Sequence, residues 1–136
     1  MSGLNEVIQI RPRNVRLEAA VIESSARACY DCARAVTEYA DACLQSENVM
    51  DELGQLQQDL DLADLCGATA RLLTNEHPDL AAIRRRLEIT VSATRVFAEK
   101  YRTRTEDPVN GKRCAEACTR CWQTCNDLLG QLGSPI

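Results

Sequence analysis

The sequence predicts an all-α fold, an antiparallel up-down-up-down four-helix bundle with a cysteine-lined core. Three observations carry this. The 136 residues are dominated by helix formers (Ala, Leu, Glu, Arg, Gln), with only 4 Pro, 6 Gly and 4% aromatics. Core-type residues recur at steps of three and four along four segments. Short polar breaks separate those segments, as antiparallel neighbours require.

Residues 1–13 read as an extended or loosely docked arm with VIQI as its apolar feature, and 14–132 as a single bundle domain. Helix one is expected from an Asn14 N-cap to about Leu44. Its core stripe steps by 4-3-4-3-4 through Ser25, Cys29, Cys32, Val36, Tyr39 and Cys43. Ser46–Asn48 offers the next cap. Helix two then runs from about Val49 to Leu73, with Leu62, Cys66, Thr69 and Leu73 on one face. TNEHPD interrupts the pattern. Pro78 suits the first turn of helix three, in which Glu76 and Asp79 complement the dipole. That helix ends near Arg104 and carries Leu80, Ile83, Leu87, Thr90, Thr94, Phe97 and Tyr101 on its stripe. EDPVNG makes the last break. Helix four, about Lys112–Leu129, aligns Cys114, Cys118, Cys121 and Cys125 on one face, continued by Leu128 and Leu132.

A net charge of −4 and a pI near 5.0 argue against a nucleic-acid or anionic-membrane surface. No apolar run approaches the ~20 residues of a membrane span. MSGLNEVIQIRPRNVR lacks the apolar stretch of a secretory leader, so the expected location is the cytoplasm.

All eight cysteines fall on stripes that face the bundle interior. Cysteine as a small core hydrophobe explains one or two such positions, but Thr or Ala would fill eight without the oxidation hazard. A disulfide between Cys29 and Cys32, or between Cys118 and Cys121, lies within one helix and constrains little. Iron–sulfur ligation resembles the C-x3-C-x2-C-x3-C run only loosely, since ferredoxin cysteines wrap a loop and precede Pro. Zinc needs four ligands converging tetrahedrally, which paired helical cysteines can supply. Cu(I) fits best. It is soft, prefers thiolate, accepts two or three ligands and tolerates several ions bridged by shared sulfurs. Bound metal also offsets the cost of burying thiolates.

RACYDCARAVTEYADACL, LDLADLCGATARLL and RCAEACTRCWQTCNDLL resemble the cysteine-rich four-helix-bundle copper storage proteins, in particular their cytosolic branch, over about residues 20–130. The resemblance implies a Cys-lined bore holding many Cu(I) ions, usually in a homotetramer. Cys29, Cys32, Cys43, Cys66, Cys114, Cys118, Cys121 and Cys125 all match that pattern. Ser25, Val36, Tyr39, Leu62, Thr90, Thr94, Phe97 and Tyr101 stand where the pattern has further cysteine, and helix three has no thiol. The chain is thus identified as a cysteine-depleted member.

Heights at 1.5 Å per residue, measured from the helix one–two turn, place Cys43 and Cys114 within ~5 Å of that end and Cys118 about 10 Å down. Cys29, Cys32, Cys66, Cys121 and Cys125 fall roughly 15–25 Å down and form the best candidate cluster. Tyr39, Phe97 and Tyr101 come out at the gap between the groups, where they would plug the upper bore. His77, the single histidine, is a loop residue or a mouth ligand. Arg84–Arg86 read as a solvated face or a subunit contact, and Trp122 as lying at a helix seam or a subunit interface.

The first functional reading is cytosolic Cu(I) binding, storage or buffering at reduced capacity. A second is a repurposed bundle with one small copper or other metal site and a cavity lined by Thr90, Thr94 and Tyr39. A third is a zinc-stabilised structural bundle. No acid–base pair, nucleophile–base pair or phosphate loop points to an enzyme. The expected partners are copper ions and further copies of the chain.

Overall fold

The computed structural model describes residues 7–10, 15–46, 49–76, 79–104 and 107–132. Two short strands, β1 (Val7–Ile10) and β2 (Val15–Glu18), precede α1 (Ala19–Leu44). A 3-10 turn (Val49–Glu52) leads into α2 (Leu53–Leu73), followed by α3 (Leu80–Arg102) and α4 (Pro108–Leu132). The helices hold 26, 21, 23 and 25 residues, roughly 30–40 Å each. Each packs on two neighbours, α1 on α2 and α4, and α3 on α2 and α4. This is the four-helix bundle that the stripes predict.

Its boundaries depart from the sequence expectation for local reasons. Helix one starts at Ala19 rather than Asn14, because Val15–Glu18 pairs antiparallel with Val7–Ile10, Ile10 opposite Val15 and Val7 opposite Glu18. VRLE alternates apolar and polar residues and VIQI is rich in β-branched ones, which together favour a pleated pair over a helical turn. The N-terminal arm is therefore partly a hairpin, and β2 adjoins α1 and α4. Helix three starts at Leu80. Asp79 is its N-cap, not a first-turn residue, with the carboxylate accepting the Ala81 and Ala82 N–H groups at 3.1 and 3.3 Å. Asn48, His77 and Pro78 lie outside the described residues.

Helix four starts one turn earlier than expected. Asp107 accepts the Asn110 N–H at 3.3 Å, and Pro108 takes the first position, where its missing N–H leaves no helical bond unmade. Gly111 allows a close approach here. A Cβ at this position would lie 3.1 Å from the Tyr101 carbonyl oxygen, a tight contact that would push α4 a few tenths of an ångström from the end of α3.

The bore is filled in three zones. At the end where α2 meets α3, Leu73, Ile83, Leu87, Leu128 and Leu132 are each at most 5% exposed. Thiols fill the middle. At the end where α1 meets α2, Tyr39 and Tyr101 are buried edge to face, with ring centroids 5.6 Å apart. Among the described residues, no helix is long and apolar enough to cross a membrane.

Candidate metal centre

Helical periodicity turns Cys29 and Cys32 of α1, Cys66 of α2 and Cys118, Cys121 and Cys125 of α4 inward, and all six are fully buried. Sγ of Cys29 lies 3.6 Å from that of Cys125 and 3.7 Å from that of Cys121. Two triads result, Cys29–Cys121–Cys125 and Cys32–Cys66–Cys121, with all sulfurs of each within 4.8 Å of one another. Cys121 belongs to both. Five sulfurs from three helices thus form one continuous group, and none of the eight cysteines is in a disulfide.

The electrostatics follow from that shared position. Hydrogen bonding with Cys125, then with Cys29, holds the Cys121 thiol down to about 6 despite its burial. The partners move the other way. Hydrogen bonding to Cys121 is the main cause that pushes Cys29, Cys66 and Cys125 above the ordinary thiol value, and burial adds to it. Within the cluster, Cys121 is thus the thiol that ionises most readily, and Cys29, Cys66 and Cys125 are held protonated beside it. Each further ionisation in this apolar setting requires a compensating cation, which a soft metal ion supplies.

Cys118 corrects the two-group picture. Its sulfur lies 3.5 Å from that of Cys32, so it joins the lower cluster directly. The reason is the early start of α4, which moves every residue of that helix further from its end than a start at Lys112 implies. Cys114 is also buried, with its thiol donating to the Ala35 carbonyl at 3.3 Å, and burial pushes it up to about 12. Cys43, near the end of α1, is only half-buried.

The remaining bore residues are packed. Thr90 Oγ1 lies 2.8 Å from Thr69 Oγ1 and 2.8 Å from the Arg86 carbonyl, and Thr94 donates to the Thr90 carbonyl at 2.7 Å. Thr90, Thr94 and Tyr39 are all at most 1% exposed, so they fill core space. Phe97 is half-buried and leans on Tyr101 at 5.9 Å. Trp122 carries the Arg95 guanidinium 4.5 Å from its ring centroid, at the α3–α4 seam.

One feature escaped sequence reasoning. Asp59 is 1% exposed and forms a two-contact ion pair with Arg104 at 3.1 and 3.3 Å, while the Tyr101 hydroxyl donates to it at 2.8 Å. The signal was present, since Asp59 precedes Leu62, Cys66, Thr69 and Leu73 at the same three-four steps. Burial, then the Asp59 charge, pushes the Tyr101 phenol far up, so it remains a donor.

The model of the copper storage protein family matches residues 18–130. The chain belongs to the copper storage protein family. Among solved structures it is similar to a Streptomyces lividans Ccsp mutant, with 30% identity and a TM-score of 0.77, over 86% of this chain and 98% of that one. A cytosolic copper storage protein from Streptomyces lividans bearing five coppers matches at 30% identity and a TM-score of 0.74, over 82% and 93%. The copper storage protein Ccsp from the same organism, loaded with 10 copper equivalents, matches at 30% identity and a TM-score of 0.76, over 83% and 86%. No curated protein sequence matches the chain.

Proposed function

We propose that this member of the family binds several Cu(I) ions through its core thiolates and stores or buffers them in the cytoplasm. The observation that carries this is the pair of buried thiol triads sharing Cys121. Two- or three-coordinate Cu(I) suits three converging sulfurs, and a shared sulfur suits bridged ions. Each triad supplies three ligands where a structural zinc site asks for four. The cytosolic relative with bound copper supports both cargo and compartment. All eight cysteines serve as ligands in this reading, with Cys43 and Cys114 the more peripheral, and His77 a candidate mouth ligand.

Capacity is reduced relative to a bore with thiols on all four helices. Thr90 and Thr94 occupy the core face of α3, and Ser25, Val36, Tyr39, Leu62, Phe97 and Tyr101 take further stripe positions. The family resemblance carries a homotetramer, and the exposed Ile89 and Val96 on α3 provide apolar surface for such contacts.

An anaerobic titration of the fully reduced chain with Cu(I) against a competing chelator, with zinc in parallel, tests the reading. Several tight Cu(I), up to about one per cysteine, are expected. A single ion, or tighter retention of zinc, would overturn it.

A further inference from the structure

The two ends of the bore are closed by different chemistry. The α2–α3 end is a leucine and isoleucine plug. The α1–α2 end carries a half-buried thiol, Cys43, then buried Cys114, then the Cys32–Cys118 contact that joins the cluster. The sulfurs at this end are thus graded from partly exposed to fully buried, and thiols are the side chains that suit a soft ion on its way to the cluster.

The polar group stands beside that route. The Arg104 side chain is 8% exposed, bound to Asp59 through both carboxylate oxygens. Its guanidinium lies 4.5 Å from the Tyr101 ring centroid and 5.2 Å from that of Tyr39. The charges of Asp59 and Arg104 both reach Cys43 and Cys114. With the ion pair in place, a buried guanidinium–carboxylate group and two aromatic rings close the bore.

The anchoring of the pair is unequal. Asp59 is held within α2, by its position in the helix and by the Tyr101 hydroxyl. Arg104 lies beyond the last residue of α3, in the α3–α4 connection, so its backbone is outside any helix and its side chain alone, through Asp59 and the Gln55 amide oxygen at 2.9 Å, ties it to α2. Outside it is a cleft bordered by Arg102, Pro108, Lys112 and Glu116, into which a freed arginine can turn. A long side chain on a connection moves more readily than a carboxylate fixed on a helix.

We propose that Arg104, Asp59, Tyr101 and Tyr39 form a gate at the Cys43 end of the bore, which sets the rate of Cu(I) loading without setting capacity. The proposal rests on the storage reading. None of the four is a ligand in it. Arg104 is a positioning residue, acting through Asp59 and the two rings.

The test is anaerobic stopped-flow loading of the full metal-free, reduced chain from a Cu(I)–bicinchoninate complex, with final copper content measured for each variant. Arg104→Met combined with Asp59→Asn removes the ion pair without leaving either charge buried alone. It should load about tenfold faster or more, with unchanged final copper. Tyr101→Phe keeps the ring but removes one hydrogen bond, and should load about threefold faster. Leu128→Ala, at the opposite plug, should load at the wild-type rate. If the paired variant does not fold, Tyr101→Phe decides alone. Full uptake at unchanged rates, or equal acceleration by Leu128→Ala, overturns the gate alone. A wild-type chain that takes up no Cu(I) overturns the storage reading and the gate with it.

Discussion

Cys121 organises the site because two triads meet on its sulfur. Hydrogen bonding within the cluster favours its thiolate, so the metal-free chain should titrate one thiol near pH 6, well below Cys29, Cys66, Cys114 and Cys125. Thiolate ultraviolet absorbance followed through that range should show a single step that Cys121→Ser abolishes; a step that survives the substitution would contradict the assignment. Asp59 makes a second residue-scale prediction. Removing one partner of a buried ion pair strands the other, so Asp59→Ala should cost about 3–5 kcal/mol in a denaturant melt, whereas the paired Arg104→Met/Asp59→Asn change should cost clearly less. The cysteines were legible because sulfur at helical steps has few uses. Asp59 was not, because a lone carboxylate on a stripe looks like a register error until Arg104, 45 residues away, is seen to meet it.

Element boundaries decided how the thiols align. Starting α4 at Lys112 splits the cysteines into an upper and a lower group, whereas starting it at Pro108 puts Cys118 against Cys32. The sequence held the correct boundary in Asp107–Pro108, a cap followed by a residue suited to the first helical position. Tertiary proximity of the Tyr101 carbonyl, which explains Gly111, has no local signature. The hairpin was similarly masked, since VRLE reads equally as a helical first turn until β1 pairs with it. Helix three yields the element-scale prediction. Its stripe faces the core with Thr90 and Thr94 in place of thiols. Thr90→Cys with Thr94→Cys should raise Cu(I) uptake by about one or two ions per chain in the chelator titration. Unchanged uptake would mean that α3 does not border the metal.

At the scale of the whole molecule, the bundle buries its thiols in an apolar core, and this couples its stability to pH. Cys29, Cys66, Cys125 and Cys114 have folded values raised above the ordinary 9.0, so the stability they contribute is intact below pH 9 and is lost as pH rises beyond it. Cys121 has the opposite sign, contributing stability above 9 that fades as pH falls toward 6. Chemical denaturation of the metal-free chain should therefore show a maximum near pH 9 and a steep fall above it, by about 1.4 kcal/mol per pH unit per thiol. Copper-loaded protein should not show that alkaline fall, because its thiolates are already deprotonated and paired with cations. The bundle, its four helices and the inward thiols were readable from periodicity alone. The contacts that join sulfurs of different helices were not, since relative height depends on boundaries accurate to a single turn. The central claim is that the cluster sharing Cys121 holds the copper, and one comparison tests it most directly, the Cu(I) stoichiometry of Cys121→Ser beside wild type under anaerobic competition. Loss of at least about two Cu(I) per chain, with Cys43→Ser losing fewer, is the expected result. Equal copper in Cys121→Ser and wild type would contradict it.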